Sequence, residues 1–168
     1  KEKFYSLTMP SEVLAETCFV STRDDDPIDG FQRTLDEKRA KEIAEYLDCG
    51  EGTIPTAIVL SAQPEANLKY NSKNKTIEFN KIKKAFLILD GQHRVYGFSM
   101  AKTSIRVPVI IYNGLSRKEE TRLFIDINTK QRPVPTELLL DIKTLAEYDT
   151  EIDGFCRQIY NNFQEKSD

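Results

Sequence analysis

Five consecutive positions, Asp90-Gly91-Gln92-His93-Arg94, interrupt the otherwise apolar stretch "AFLILDGQHRVYGFSMA" and hold the only histidine of the 168-residue chain. The apolar run before them has the length of a buried strand. Val95, Phe98 and Met100 or Ala101 after them recur at helical spacing. The turn is therefore expected at a helix N-terminus, where the first backbone N–H groups lack intrahelical partners and face the positive end of the macrodipole. Such a place favours an anion. Gly91 permits a tight turn and lets a ligand approach the backbone. Arg94 offers a planar fork to a phosphate, His93 a hydrogen-bond donor, and Gln92 an amide that donates and accepts. Asp90 would repel a bare phosphate, so its expected roles are holding Arg94, capping the helix or accepting a metal carried by a nucleotide. The competing reading is plain capping chemistry, with Arg94 packed against Asp90 as scaffold.

Two further polar islands suit the same ligand. In "FIDINTKQRPVP", residues 124–135, Asn128, Gln131 and Arg132 supply two amides and a guanidinium fit for phosphate or ribose. Punctuation explains part of that segment, because Asn suits a helix end and Pro133 and Pro135 prevent continuation. In "GFQRTL", Gln32 and Arg33 stand just before a helix. Arg33 either reaches a shared anion or pairs with the acidic run Asp24–Asp26. A basic cluster, Lys69, Lys73, Lys75, Lys81, Lys83 and Lys84, reads as a solvated hairpin whose lysines guard an edge strand, or as a patch that touches nucleic acid or an acidic partner.

The elements that must position these residues follow from periodicity and punctuation. "FYSLTM" and "CFVST" read as short strands around a helical turn at residues 11–16, and "RDDDPIDG" as a loop. "TLDEKRAKEIAEYLDCG" is a helix: Thr34 and Glu37 form a capping-box pattern, Ala40, Ile43, Ala44 and Leu47 keep helical spacing, and Gly50 supplies the stop. "IPTAIVLS", "AFLIL" and "RVPVIIY" are buried strands, residues 62–75 an exposed loop, and "TIEFN" one arm of a hairpin. Ser116 and Glu119 form a second capping box before the helix "RKEETRLFIDIN". "TELLLDIKTLAEY" and "EIDGFCRQIYNNFQ" are helical. The expected class is α+β, or mixed α/β: a core domain over residues 1–133 with a small mixed sheet, and a C-terminal helical extension over 134–168.

Composition narrows the function classes. The net charge of −3 is not that of a protein dominated by phosphate-backbone binding. No apolar run approaches a membrane span, and "KEKFYSLTMP" lacks the apolar core of a signal peptide, so no membrane partner is expected. Cys18, Cys49 and Cys156 are odd in number and unsuitably spaced for a disulfide framework or a zinc site, which fits a reducing cytoplasm. No metal site can be written, and neither a P-loop nor a nucleophile elbow is present. The missing initiator Met and the abrupt end at "QEKSD" suggest a piece of a longer chain.

"LDGQHRVYG" resembles the signature of the DGQHR-domain family, the group that includes the DNA sulfur modification protein DndB. "GFQRTLDEKRAKEIAEYL" is similar to the family's Gln-Arg segment with its helix, and "IPTAIVLS" to the next strand. "LFIDINTKQRPVPTELLLDI" is similar to the family's Phe-x-x-Ile-Asn-x-x-Gln box, so the resemblance covers residues 1–145. That family more distantly resembles the ParB N-terminal and sulfiredoxin domains, whose shared Gly-x-x-Arg turn binds nucleotide phosphates and lines up with residues 91–94. Sulfiredoxin places its catalytic Cys where Gln92 stands, so sulfinic-acid reduction is not available. ParB places a Glu there as part of its CTP site, and the change to Gln92 weakens the case for CTP hydrolysis. The resemblance implies a DNA modification or defence system of the phosphorothioation type, with DNA and other proteins of a modification cluster as partners. It implies a DNA-binding transcriptional regulator with a nucleotide or phosphate at the DGQHR turn, the ligand being ATP or CTP with Mg2+. The alternative is a ParB-like nucleotide hydrolase, in which Asp90 holds the metal and His93 or Gln92 places the attacking water. On the residues alone, enzyme, binding module and scaffold stay open.

Overall fold

The computed structural model of the chain describes residues 3–21, 35–50 and 52–129. Its elements run β1 (Lys3–Pro10), α1 (Ser11–Thr17), β2 (Cys18–Phe19), α2 (Glu37–Asp48), β3 (Ile58–Ala62), β4 (Lys69–Asn71), β5 (Thr76–Glu78), β6 (Phe86–Asp90), α3 (Gln92–Met100), β7 (Arg106–Asn113) and α4 (Arg117–Thr129). All belong to one compact unit ending at Thr129. The helical extension expected over 134–168 lies outside the described residues.

The main sheet has five strands in the order β1-β7-β3-β6-β2. It is mixed: β1 runs antiparallel to β7, β3 parallel to β7 and antiparallel to β6, and β2 parallel to β6. The unbroken apolar run of β6 reflects burial on both faces, since Phe86, Leu87, Ile88 and Leu89 are all at most 3% exposed. Phe86 and Ile88 join Leu14, Leu47, Val95, Phe98, Val107, Val109 and Ile111 in the core beneath the first three helices. Strand alternation turns Leu87 and Leu89 to the other face, where α4 packs against β6. The mixed α/β class expected from the sequence is the observed one. Among the described residues no helix is long and apolar enough to cross a membrane.

Local details differ from the sequence pattern in instructive ways. Helix α2 starts at Glu37 and is capped by Asp36, whose carboxylate accepts the Arg39 N–H at 3.2 Å. Asp36 thus takes the place expected of Thr34, because its short carboxylate stands three residues before the N–H it satisfies. The second box forms as expected, with Ser116 N–H donating to Glu119 Oε2 at 2.7 Å. The strand expected from Ile54 begins only at Ile58. The Thr56 and Ala57 carbonyls ahead of it accept hydrogen bonds from Arg94 instead of from a neighbouring strand. In residues 62–75, expected as loop, Ala66 is fully buried and β4 pairs with β5.

Helices α2 and α3 cross closely at Gly97. A Cβ there would lie 2.8 Å from Ile43 Cγ2 and 2.9 Å from the Ala40 carbonyl oxygen. The crossing sets the starts of both helices side by side, which is what assembles the candidate site.

Candidate site at the DGQHR turn

Strand β6 delivers Asp90 to the edge of the core, and Gly91 then adopts φ +98° as the N-cap of α3. A side chain at Gly91 would be strained by that φ and would place a Cβ 2.6 Å from Ile58 Cδ1 and 3.0 Å from an Arg94 nitrogen. Only glycine fits this approach of turn to strand. Val95 N–H makes the bond back to Gly91 carbonyl at 3.0 Å, and no side chain caps the helix start. The first-turn amides therefore keep their positive end directed out of the helix.

Arg94 is half-buried and multiply held. One guanidinium nitrogen donates to Asp90 Oδ2 at 2.7 Å, and the other to Thr56 Oγ1 at 2.6 Å and to the Thr56 and Ala57 carbonyls at 2.8 and 3.3 Å. Burial pulls its pKa down, and the Asp90 carboxylate opposes that pull. The guanidinium staples the turn to the chain entering β3. This is the scaffold role left open by the sequence, and it takes up Asp90 as well.

His93 turns toward α2. Its Nε2 accepts the Asp36 backbone N–H at 3.2 Å, which places the ring proton of the neutral form on Nδ1. Partial burial, chiefly, and the nearby Arg39 charge depress its pKa from 6.5, while Asp36 opposes them. Arg39 is exposed and exerts its field on both His93 and Arg94. Arg39 and Thr56 do not stand out in the sequence. The signal for Arg39 is its place in the first turn of α2, but only the packing of α2 on α3 carries it to the turn.

The remaining candidates fall elsewhere. Asn128 is exposed and donates from Nδ2 to the Phe124 carbonyl of its own helix at 2.8 Å. Gln32, Arg33, Gln131 and Arg132 lie outside the described residues. The six lysines separate: Lys81 pairs with Glu16 at 2.6 Å, Lys83 is exposed between β5 and β6, Lys84 Nζ lies 5.9 Å from the Phe19 ring centroid, and Lys69, Lys73 and Lys75 belong to the β4–β5 hairpin. Among the described residues no three His, Cys, Asp or Glu side chains converge as a metal site.

A small mixed sheet with helices, in which β6 passes through a glycine turn into the start of α3, has a ParB-like fold. The solved structure of the C-terminally truncated chromosome-partitioning protein ParB from Caulobacter crescentus, complexed with CTP-gamma-S, is similar at a TM-score of 0.55 and 14% identity. The match covers 89% of this chain and 68% of that one. The sequence matches the DndB family, described as DNA-sulfur modification-associated, over residues 1–162, and the chain belongs to that family. No curated protein matches the chain significantly in sequence.

Proposed function

We propose that the chain is a cytoplasmic DNA-binding regulator of a phosphorothioation-type DNA modification system, with a nucleotide or phosphate sensed at the DGQHR turn. The observation that carries the site is the Asp36–His93 hydrogen bond of 3.2 Å, which sets the positive ends of α2 and α3 beside one another. Gly91, Gln92, His93 and Arg94 form one wall and Arg39 contributes the accessible cation. Gln32, Arg33, Asn128, Gln131 and Arg132 join on the strength of their sequence alone. The donor set fits a triphosphate: helix-start amides, an exposed guanidinium and side-chain amides, all suited to phosphate or ribose oxygens. ATP or CTP would arrive with its own Mg2+. Family membership supports the cellular setting, with DNA and other proteins of a modification cluster as partners. The CTP analogue bound to the ParB neighbour supports a nucleotide as ligand.

Sensing is preferred to turnover because Asp90 and His93, two of the three residues named for a hydrolase, are already engaged. Asp90 is ion-paired to Arg94 at 2.7 Å, and His93 Nε2 already accepts the Asp36 N–H. The test is a calorimetric titration of the purified chain with ATP and CTP, with and without Mg2+, beside Arg39→Ala. Saturable binding that weakens in the variant, without nucleotide turnover, is the expected result. No binding of either nucleotide overturns the nucleotide reading.

A further inference from the structure

The β4–β5 hairpin forms a two-stranded sheet of its own, apart from the five-stranded one. Its register pairs Lys69 with Glu78, Tyr70 with Ile77 and Asn71 with Thr76. Paired residues share a face, so Tyr70 and Ile77 occupy one side, where the Tyr70 ring stacks 5.3 Å from Tyr5 of β1. The opposite side is wholly polar: Lys69, Asn71, Thr76 and Glu78. The turn between the strands is well defined. Asn71 Oδ1 accepts the Lys73 and Asn74 backbone N–H groups at 3.0 and 3.3 Å, and Lys75 closes the turn at φ +54°. Residues 69–76 are all exposed.

Charge then singles out the tip. Lys69 faces Glu78 across the ribbon, Lys81 is neutralised by Glu16, and Lys84 lies over Phe19. Within the hairpin, Lys73 and Lys75 have no ion-pair partner among the described residues, and the likewise exposed Lys83 lies outside it, between β5 and β6. The result is a narrow, pinned ribbon with two unopposed ammonium groups beside the Asn74 amide and the Ser72 hydroxyl. An antiparallel ribbon is one of the two elements of secondary structure that the major groove of B-DNA admits. Lysines on its flanks meet the phosphates, while amides and hydroxyls at its tip reach base edges.

We propose that the β4–β5 hairpin is a DNA-contacting finger that enters the major groove of duplex DNA, with Lys73 and Lys75 on backbone phosphates. The inference rests on the DNA-binding part of the reading above and is independent of the nucleotide site. An acidic peptide would satisfy the charge, but the ribbon with amides and hydroxyls at its tip matches the element that the major groove admits, and the experiment separates the two.

The experiment measures binding of the full chain to a short mixed-sequence DNA duplex by fluorescence anisotropy across a salt series. Each phosphate contact contributes about 0.9 to the slope of log K against log salt, so Lys73→Ala/Lys75→Ala is expected to flatten that slope by about 2. Lys73→Arg/Lys75→Arg is expected to keep the slope, and circular dichroism to show both variants folded. Lys38→Ala/Lys41→Ala, which removes two exposed α2 lysines, is expected to leave the slope unchanged. An unchanged slope in the tip variant overturns the finger while leaving DNA binding intact. Absence of DNA binding by the unmodified chain overturns both. Poly-glutamate bound as tightly as the duplex through the same two lysines would mark an acidic-partner surface instead, and would also overturn the proposal. Nucleotide titrations of the tip variant are expected to match the unmodified chain.

Discussion

His93 at the start of α3 accepts the Asp36 N–H of α2 through Nε2 at 3.2 Å, so the chain's only imidazole fastens one helix start to another. That acceptor exists only in the neutral ring. Protonation would set an N–H against the Asp36 N–H and add a positive charge near Arg39.

The folded-state pKa of His93 lies below its ordinary 6.5, through partial burial first and Arg39 second. Between the two values the unfolded chain binds more protons than the folded one, so stability there rises with pH. Stability is expected to be full above about pH 6.5 and to decline as pH falls toward the folded-state value. The carboxylates held low by hydrogen bonds, Glu12, Asp48 and Glu119, titrate in a more acidic range. Urea midpoints across the weakly acidic range check this. His93→Gln is expected to flatten that part of the profile, and an identical profile in the variant would refute the assignment.

Arg94 holds the turn, while Arg39 is the proposed anion contact, and their variants should separate. Arg94→Ala removes the bonds to Asp90, Thr56 and Ala57 and leaves a partly buried carboxylate without its cation. A loss of about 2 kcal/mol in stability is expected, below the range for fully buried pairs because both groups keep some exposure. Arg39→Ala changes an exposed side chain and is expected to stay within about 0.5 kcal/mol of the unmodified chain. Its effect should instead be weaker anion affinity with unchanged melting. The opposite pattern, a stable Arg94→Ala and a destabilised Arg39→Ala, would reverse these roles.

What was legible in the sequence is what depends on neighbours along the chain. The apolar runs gave the strands, the Asp-Gly pair marked the start of α3, and Ser116 with Glu119 marked the start of α4. Asp36 was hidden because Thr34 and Glu37 offer an equally good box on spacing, and only the backbone shows which N–H is reached. The partners of Arg94 were hidden for a different reason. Thr56 and Ala57 stand nearly forty residues before it, and they meet it because β3 pairs with β6. Arg39 reaches the turn only because Gly97 lets α2 and α3 approach closely, a tertiary fact with no local periodicity behind it. Gln32, Arg33, Gln131 and Arg132 remain readings of the sequence.

Glu120 in the first turn of α4 supplies the last prediction. It is 4% exposed, accepts Gln63 Nε2 at 2.8 Å and Arg117 at 3.3 Å, and Arg117 in turn donates to Ser21 Oγ at 2.7 Å. One buried carboxylate thus ties α4 to the segment leaving β3 and, through Arg117, to the segment after β2. Removing it leaves the Gln63 amide and the Arg117 guanidinium without this acceptor, so Glu120→Ala is expected to cost about 3 kcal/mol. The partial exposure of Arg117 keeps the figure at the low end for a broken buried pair. Glu120→Gln retains the shape and one carbonyl acceptor and is expected to cost about 1 kcal/mol. Urea unfolding of the two variants, followed by circular dichroism, reads the difference directly. Equal losses would show that the charged carboxylate, which both variants remove, and not the shape and single acceptor that Gln keeps, holds α4 on the sheet.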